Sequence, residues 1–280
     1  MSLPDAIRLL TTRSPLLMLL FAAACCSSPE ESASIRSEPI RRKAGGCDYK
    51  PAPWVPSPRK PYPWETISPH NHPRITKDFF RCQGMSLNPI RSIEHRGESI
   101  RLEDCGGADA HGLPLSGEEE WIPQILLELL NYIQDQSEKR VVITCGHRCP
   151  KHHQYVLQTP YAKPSKHLMG AEVNFYIQGL EDKPEAAVRL VQKFYQEDPE
   201  TRDQAEYTTF ERYEKSDTDV STKPWFNKEI FMKLYLPFEG RNFDNRHPYP
   251  YLSIQVRYDR KKNKRLLFDW GAAEKNFLRH

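Results

Sequence analysis

The chain has 280 residues, enough for one large domain or two small ones. Its 40 lysines and arginines against 37 aspartates and glutamates leave a net charge of only +3, which gives no indication of nucleic-acid binding. Beyond the N-terminus there is no run of about 20 apolar residues, so the sequence does not predict an ordinary transmembrane protein.

The first 25 residues have the pattern of a secretory signal. Arg8 and Arg13 precede an apolar run, residues 15–24, which ends in small residues and Cys25. A basic start, a short apolar centre and a small-residue cleavage site predict export. The Ala-Ala-Ala-Cys sequence at the end also resembles a bacterial lipoprotein cleavage site, at which a lipid on Cys25 would anchor the protein to a membrane. The alternative is simple cleavage before that cysteine. Either way we expect a protein of the bacterial cell envelope, in the periplasm or anchored to the membrane.

The remaining cysteines should meet an oxidising compartment if the chain is exported, and some of them should pair. Proximity in the sequence favours two disulfides, Cys82 with Cys105 and Cys145 with Cys149. A zinc knuckle is the less favoured alternative, because the chain lacks two Cys-x-x-Cys pairs.

Composition divides the rest of the chain into a linker at residues 26–75 and a folded domain at residues 76–280. The linker begins rich in Ser and Glu, and between residues 51 and 64 a proline recurs at almost every second or third position. Such a segment favours extended polyproline conformations and suits a spacer between a membrane and a domain.

The clearest helix is predicted to begin at Ser116, because Glu119 stands at the spacing of a capping box. The apolar residues that follow recur at helical spacing and predict a buried face. These residues are Trp121, Ile122, Ile125, Leu126, Leu129, Leu130 and Ile133.

Further elements are predicted by alternation and periodicity. They are strands at 141–143, 171–176, 229–235 and 251–258, a helix at 184–195 and a hairpin turn at 260–263. This order of elements predicts an α+β domain with a mainly antiparallel sheet flanked by helices.

Two ordered motifs resemble those of the zinc D-alanyl-D-alanine peptidases. The sequence CGHRCP at 145–150 is similar to the family's Ser-Gly-Tyr-Arg-Ser-Pro signature. The sequence SKHLMGAEVN at 165–174 is similar to its Ser-x-His-x-x-Gly-x-Ala-x-Asp motif, and PYLSIQV at 250–256 resembles the strand that carries the last zinc ligand. The resemblance covers roughly residues 116–258. It implies the fold that DD-peptidases share with the hedgehog signalling domain.

The resemblance also implies roles for individual residues. Arg148 stands where the family's arginine binds the C-terminal carboxylate of the substrate, and its planar guanidinium suits that group. Ser165, which opens the second motif, is expected to contact substrate as well. His167 stands at a zinc-ligand position, whereas Asn174 replaces the ligating aspartate and Ser253 aligns with the last ligand.

These substitutions bear on zinc, which in catalytic sites takes three protein donors and keeps one position for water. An asparagine lacks the charge of an aspartate, and a serine hydroxyl is not a usual ligand. The sequence DNRH at 244–247 offers a replacement, because some family members carry Glu-x-x-His at that point. His247 would then complete a zinc site with His167 and Asn174, and Asp244 would be the general base.

Three functions are open. The first is a zinc-dependent D,D-carboxypeptidase that acts on peptidoglycan stem peptides ending in D-Ala. The alternative is a catalytically inactive protein that binds the same peptides, or a structural lipoprotein. Arg148 could equally brace its loop against an Asp or Glu, and His152 and His153 are expected in a solvated turn. The sequence offers no ordered partner set for a cysteine hydrolase.

Overall fold

A six-stranded antiparallel sheet lies at the centre of the protein in this computed structural model, which describes residues 72–160 and 163–275. The described residues all belong to one compact unit, residues 59–280. The predicted signal at residues 1–25, with Cys25, and nearly all of the predicted linker lie outside the described residues. Within the described ranges, no helix has the length and apolar character needed to span a bilayer.

Strands and α-helices are both spread along the described part of the chain. In chain order the strands are β1 (Arg91–His95), β2 (Glu98–Leu102), β3 (Leu115–Ser116), β4 (Glu119–Glu120), β5 (Val141–Cys145), β6 (Glu172–Ile177), β7 (Glu211–Arg212), β8 (Trp225–Phe226), β9 (Ile230–Tyr235), β10 (Tyr251–Val256), β11 (Tyr258–Asp259) and β12 (Lys264–Arg265). The α-helices are α1 (Gln124–Ser137), α2 (Pro150–Leu157), α3 (Pro184–Glu197), α4 (Ala205–Thr208) and α5 (Trp270–Lys275).

The central sheet has the strand order β5-β6-β10-β9-β8-β7, and each neighbouring pair is antiparallel. This confirms the predicted α+β class with a mainly antiparallel sheet. Asn174 of β6 lies opposite Ser253 of β10, which in turn lies opposite Lys233 of β9. Because cross-strand partners share a face of the sheet, these three residues form one polar row.

Helices α1 and α3 supply most of the non-sheet core. Their apolar stripes pack with Val173, Phe175 and Ile254 of the sheet in one cluster. Burial of one such large side chain stabilises the fold by about 1.5–3 kcal/mol, so the apolar stripe decides which face of each helix docks. Most of the buried face that the helical spacing predicts for the first helix is confirmed in α1, whereas Trp121 and Ile122 precede the helix and Trp121 is only half-buried. The buried residues of α1 and α3 include Ile125, Leu126, Leu129, Leu130, Ile133, Ala187, Val188, Val191, Phe194 and Tyr195.

The capping box predicted at Ser116 is wrong. That residue ends β3, and a turn with Gly117 at φ +70° leads into β4. Helix α1 begins later, at Gln124. The two residues of the predicted capping box, Ser116 and Glu119, instead pair across this tight hairpin, and the next residue, Glu120, accepts hydrogen bonds of 3.2 and 2.8 Å from Arg81.

The solvated turn predicted around His152 is also wrong. Helix α2 begins there, with Pro150 in its first turn and the Cys149 sulfur accepting a 3.2 Å hydrogen bond from the His152 backbone. A proline at the first helical position preceded by a side-chain acceptor is a favourable helix start. His152 and His153 are consequently buried, each with only 1% of its surface exposed.

Candidate functional site

A cleft of about 380 Å³ opens over strands β6, β9 and β10. Arg148, Ser165, His167 and Asn174, four of the predicted site residues, all line it. Glu172 lines it as well, because residues two apart on β6 share a face of the sheet. The two motifs therefore meet in space, as the resemblance implies.

An ion pair holds Arg148 at the cleft. Its Nε donates to Asp244 Oδ2 over 2.6 Å, and each side chain is only 4% exposed. Burial acts to raise the pKa of Asp244, but the neighbouring guanidinium outweighs it and holds that pKa well below its usual range. Nη2 of Arg148 is buried and has no hydrogen-bond partner among the described residues. The guanidinium is thus fixed through Nε, while Nη2 keeps hydrogen-bonding capacity that no described residue uses.

The pair continues into a buried chain of charged groups. His152 Nδ1 lies 2.6 Å from Asp104 Oδ1, and its Nε2 lies 3.1 Å from Asp244 Oδ1. Burial acts to lower the pKa of His152, but hydrogen bonds with the two carboxylates outweigh it and raise that pKa to about 9. A protonated ring donates from both nitrogens, so it fixes Asp244 from the side opposite Arg148.

Asp244, the predicted general base, is therefore engaged on both oxygens and is not among the residues that line the cleft. A general base must reach the proton that it removes. This arrangement suits a residue that positions Arg148, and the catalytic role stays a prediction.

His247, the predicted metal ligand, packs among three tyrosines. Its ring centroid lies 5.0 Å from that of Tyr176, 6.1 Å from Tyr249 and 5.6 Å from Tyr251. The groups of three or more His, Cys, Asp and Glu side chains that could hold a metal in the described residues include neither His247 nor His167. The shared site for these two histidines stays a prediction.

The motifs do not predict a role for Glu172, because this cleft residue stands at an alanine position of the second motif. Its Oε1 lies 3.6 Å from His167 Nε2 and accepts hydrogen bonds of 2.8 Å from Ser253 and 3.0 Å from Gln255. Burial acts to raise the pKa of Glu172, but His167 and these hydrogen bonds outweigh it and hold that pKa below its usual range. A carboxylate therefore stands beside His167 despite the loss of the family's aspartate.

The zinc-ligand set that the resemblance implies is not reproduced in the cleft. Asn174 holds the aspartate position, and Ser253, opposite it on β10, donates its hydroxyl to Glu172. His167 Nδ1 donates to the Gly146 carbonyl over 2.6 Å, which leaves Nε2 as the acceptor. Asn174 Oδ1 is buried without a hydrogen-bond partner among the described residues. The donors here are an imidazole, a carboxylate and a neutral carbonyl oxygen.

A second polar centre lies beside the first motif. It consists of four buried side chains whose ligand atoms all lie within 4.8 Å of one another: Cys82, Cys105, His111 and Cys149. We call it the Cys₃His cluster. A group of this kind could hold a metal ion.

The disulfides predicted from sequence proximity are wrong in this structure. Cys82, Cys105, Cys145 and Cys149 are all free thiols. The sulfurs of Cys82 and Cys105 are 3.7 Å apart, whereas a disulfide bond measures about 2.0 Å. Hydrogen bonds from the Cys149 and Cys82 thiols lower the pKa of Cys105, while burial raises that of the separate Cys145.

Comparisons with known protein families, with curated proteins and with solved structures give no match to this chain. The resemblance to zinc D-alanyl-D-alanine peptidases and their fold therefore stays a prediction.

Proposed function

We propose that the cleft binds a peptide through its C-terminal carboxylate, with Arg148 as the anion-binding residue. The observation that carries this proposal is the buried guanidinium whose Nε is fixed by Asp244 while Nη2 has no partner within residues 72–160 and 163–275. Leaving a buried donor unsatisfied costs about 1–3 kcal/mol, and more for a charged group. A carboxylate bound in the cleft would satisfy it with a charge-assisted hydrogen bond.

The walls of the cleft suit a short peptide with a small last residue. Tyr235 and Tyr251 stack with ring centroids 4.5 Å apart and line one side. Lys163 and Arg241 add positive charge to the same lining. The cleft volume of about 380 Å³ lies at the lower end of the range for small-ligand sites. The resemblance supplies the candidate ligand, a peptidoglycan stem peptide ending in D-Ala, which agrees with the export expected from the N-terminus.

Binding measurements on the full chain test this proposal. The ligands are an acylated peptide ending in D-Ala-D-Ala and the same peptide with a C-terminal amide. We expect the acid to bind at least about tenfold more tightly than the amide, a difference of about 1.4 kcal/mol. Equal binding of the two peptides would overturn the proposal. For the substitution Arg148→Lys, the matched control is Arg246→Lys. Arg246 is exposed and stacks on Phe243, outside the cleft lining.

Hydrolysis of the bound peptide is a second candidate function, favoured by the contact between His167 and Glu172. These two residues and Asn174 would hold a metal ion, whose chemistry would be the activation of a water molecule. Release of D-Ala by the full chain with added Zn²⁺, abolished in Glu172→Gln, would establish this activity. Peptide binding without release would leave binding as the function.

A further inference from the structure

We infer that this protein has a structural zinc site separate from the cleft, with four ligands: Cys82, Cys105, His111 and Cys149. The inference rests on the geometry of the Cys₃His cluster and is independent of the proposed function.

The distances within the Cys₃His cluster match tetrahedral coordination. With Zn–S bonds of about 2.3 Å, two sulfurs of a tetrahedral site lie about 3.8 Å apart. The sulfurs of Cys82 and Cys105 are 3.7 Å apart. For Zn–N bonds of about 2.0–2.1 Å, the corresponding N to S distance is about 3.6 Å. His111 Nε2 lies 3.5 Å from the Cys105 sulfur. These two distances, and the 4.8 Å limit within which all four ligand atoms lie, fit coordination by one zinc ion.

Backbone N–H groups donate to two sulfurs of the cluster, and a carbonyl lies beside its histidine. The Gly107 backbone N–H donates to the Cys105 sulfur over 3.3 Å, and the His152 backbone N–H donates to the Cys149 sulfur over 3.2 Å. His111 Nδ1 lies 3.4 Å from the Gly112 carbonyl, to which it can donate, and Nε2 is the nitrogen on the side of the Cys105 sulfur, 3.5 Å away. Such outer contacts are the usual surroundings of zinc ligands. Zinc binding would release one proton from each of the three thiols.

A zinc ion would stabilise a part of the domain that has little core of its own. Between residues 81 and 112, the buried apolar side chains are Cys82, Leu102 and Cys105. The three cysteines of the cluster form a small group apart from the main core. Regions that bury too little apolar surface commonly depend on a metal or on disulfides. The Cys₃His cluster joins the Cys82 segment, the 105–111 segment and the start of α2.

The site also abuts the residues that hold Arg148. Cys149 follows Arg148 directly and caps α2. Asp104 precedes Cys105 and contacts His152, which contacts Asp244. A metal at the cluster would therefore fix both ends of the buried chain of charges that positions the guanidinium.

The test is the zinc content of the full chain, purified under reducing conditions, loaded with Zn²⁺ and freed of unbound metal. We expect Cys105→Ser to lose the ion, so that its content falls below about a tenth of that of the wild type. Cys145→Ser removes a buried thiol outside the cluster, and His167→Ala removes the candidate cleft ligand. Both variants should retain the ion. His111→Cys should also retain it, because four cysteines form an equally common structural site.

Wild-type protein with less than about a tenth of a zinc per chain would overturn the inference. Zinc that is lost in His167→Ala but kept in Cys105→Ser would also overturn it, since the ion would then belong to the cleft. Loading the wild type with Co²⁺ gives a readout that requires no variant to fold. Thiolate ligands produce a near-ultraviolet charge-transfer band, and its absence would contradict the site. Peptide binding by the cleft is measured separately, so its failure would leave the zinc result unaffected.

Discussion

Arg148 Nε and Asp244 Oδ2 lie 2.6 Å apart, and neither side chain has more than 4% of its surface exposed. The pair joins the first motif to a loop 96 residues further along the chain. A buried ion pair stabilises a fold only with both members present, because a lone buried charge has neither water nor a partner. The anion-binding edge of Arg148 therefore depends on Asp244.

The first prediction concerns that dependence. We expect Asp244→Asn to lower the free energy of unfolding by about 3 kcal/mol or more, because it leaves Arg148 charged and unpaired. Urea denaturation measures the change. Glu103→Gln is the control, since Glu103 and Lys151 are 3.8 Å apart and both about half exposed. Its effect should stay below about 0.5 kcal/mol. A similar small effect in Asp244→Asn would contradict the assignment.

Gly146 in the first motif should tolerate no side chain. A Cβ there would lie 2.6 Å from Phe80 Cα and 2.8 Å from Phe80 O, and that carbonyl accepts a hydrogen bond from His147. We expect Gly146→Ala to cost about 1–3 kcal/mol and to weaken peptide binding, because Arg148 lies two residues on. Gly271→Ala, whose Cβ meets nothing closer than 3.4 Å, is the control for thermal denaturation. Equal stability of the two variants would show that the packing argument fails.

Glu229 should make stability depend on pH. Arg260 lies within ion-pair distance of four carboxylates, at 2.8 Å from Glu229, 2.8 Å from Asp198, 3.2 Å from Glu200 and 3.6 Å from Glu128. Burial raises the pKa of Glu229 from 4.5 to about 7. As pH rises between these values, the unfolded chain loses its proton first, so the folded state loses stability.

Replacing Glu229 with glutamine isolates this effect. We expect the wild type to lose about 1–3 kcal/mol more than Glu229→Gln between about pH 4.5 and pH 7. Urea denaturation of both proteins across this range measures it, and groups common to both cancel in the difference. A difference that stays constant with pH would contradict the burial argument.

Metal removal should affect stability through the Cys₃His cluster. A metal ion present at a concentration far above its dissociation constant stabilises the folded state by about 4 kcal/mol. We therefore expect a strong chelator to lower the Tm by roughly 10 °C. Cys145→Ser should respond like the wild type, and Cys105→Ser should not respond. A wild-type Tm that is unchanged by the chelator would argue against a structural ion.

The parts of the fold that local patterns determine could be predicted from the sequence. Alternation predicts β9 and β10, and helical spacing predicts the buried faces of α1 and α3, because each pattern reflects one face turned to the core. The predicted helix start at Ser116 failed for a different reason. Ser116 and Glu119 have the spacing of a capping box, but the same spacing fits a tight hairpin in which the two residues pair and Gly117 takes φ +70°.

The part of the candidate site that the two motifs form could be predicted from the sequence. They predict that Arg148 and His167 meet in one cleft. The burial of His152 depends on Asp104 and Asp244, which lie 48 and 92 residues away. The Cys₃His cluster draws its ligands from three segments without a Cys-x-x-Cys pair, so spacing alone gave no signal for it. Such partners become visible only when the chain is folded.

The central claim is that Arg148 binds a terminal carboxylate. Its most direct test is the ratio of acid to amide peptide affinity in the wild type and in Arg148→Lys, which keeps a charge for Asp244 but loses the planar fork. We predict a ratio of at least about tenfold in the wild type and below about threefold in the variant. The same ratio in both proteins would contradict the claim.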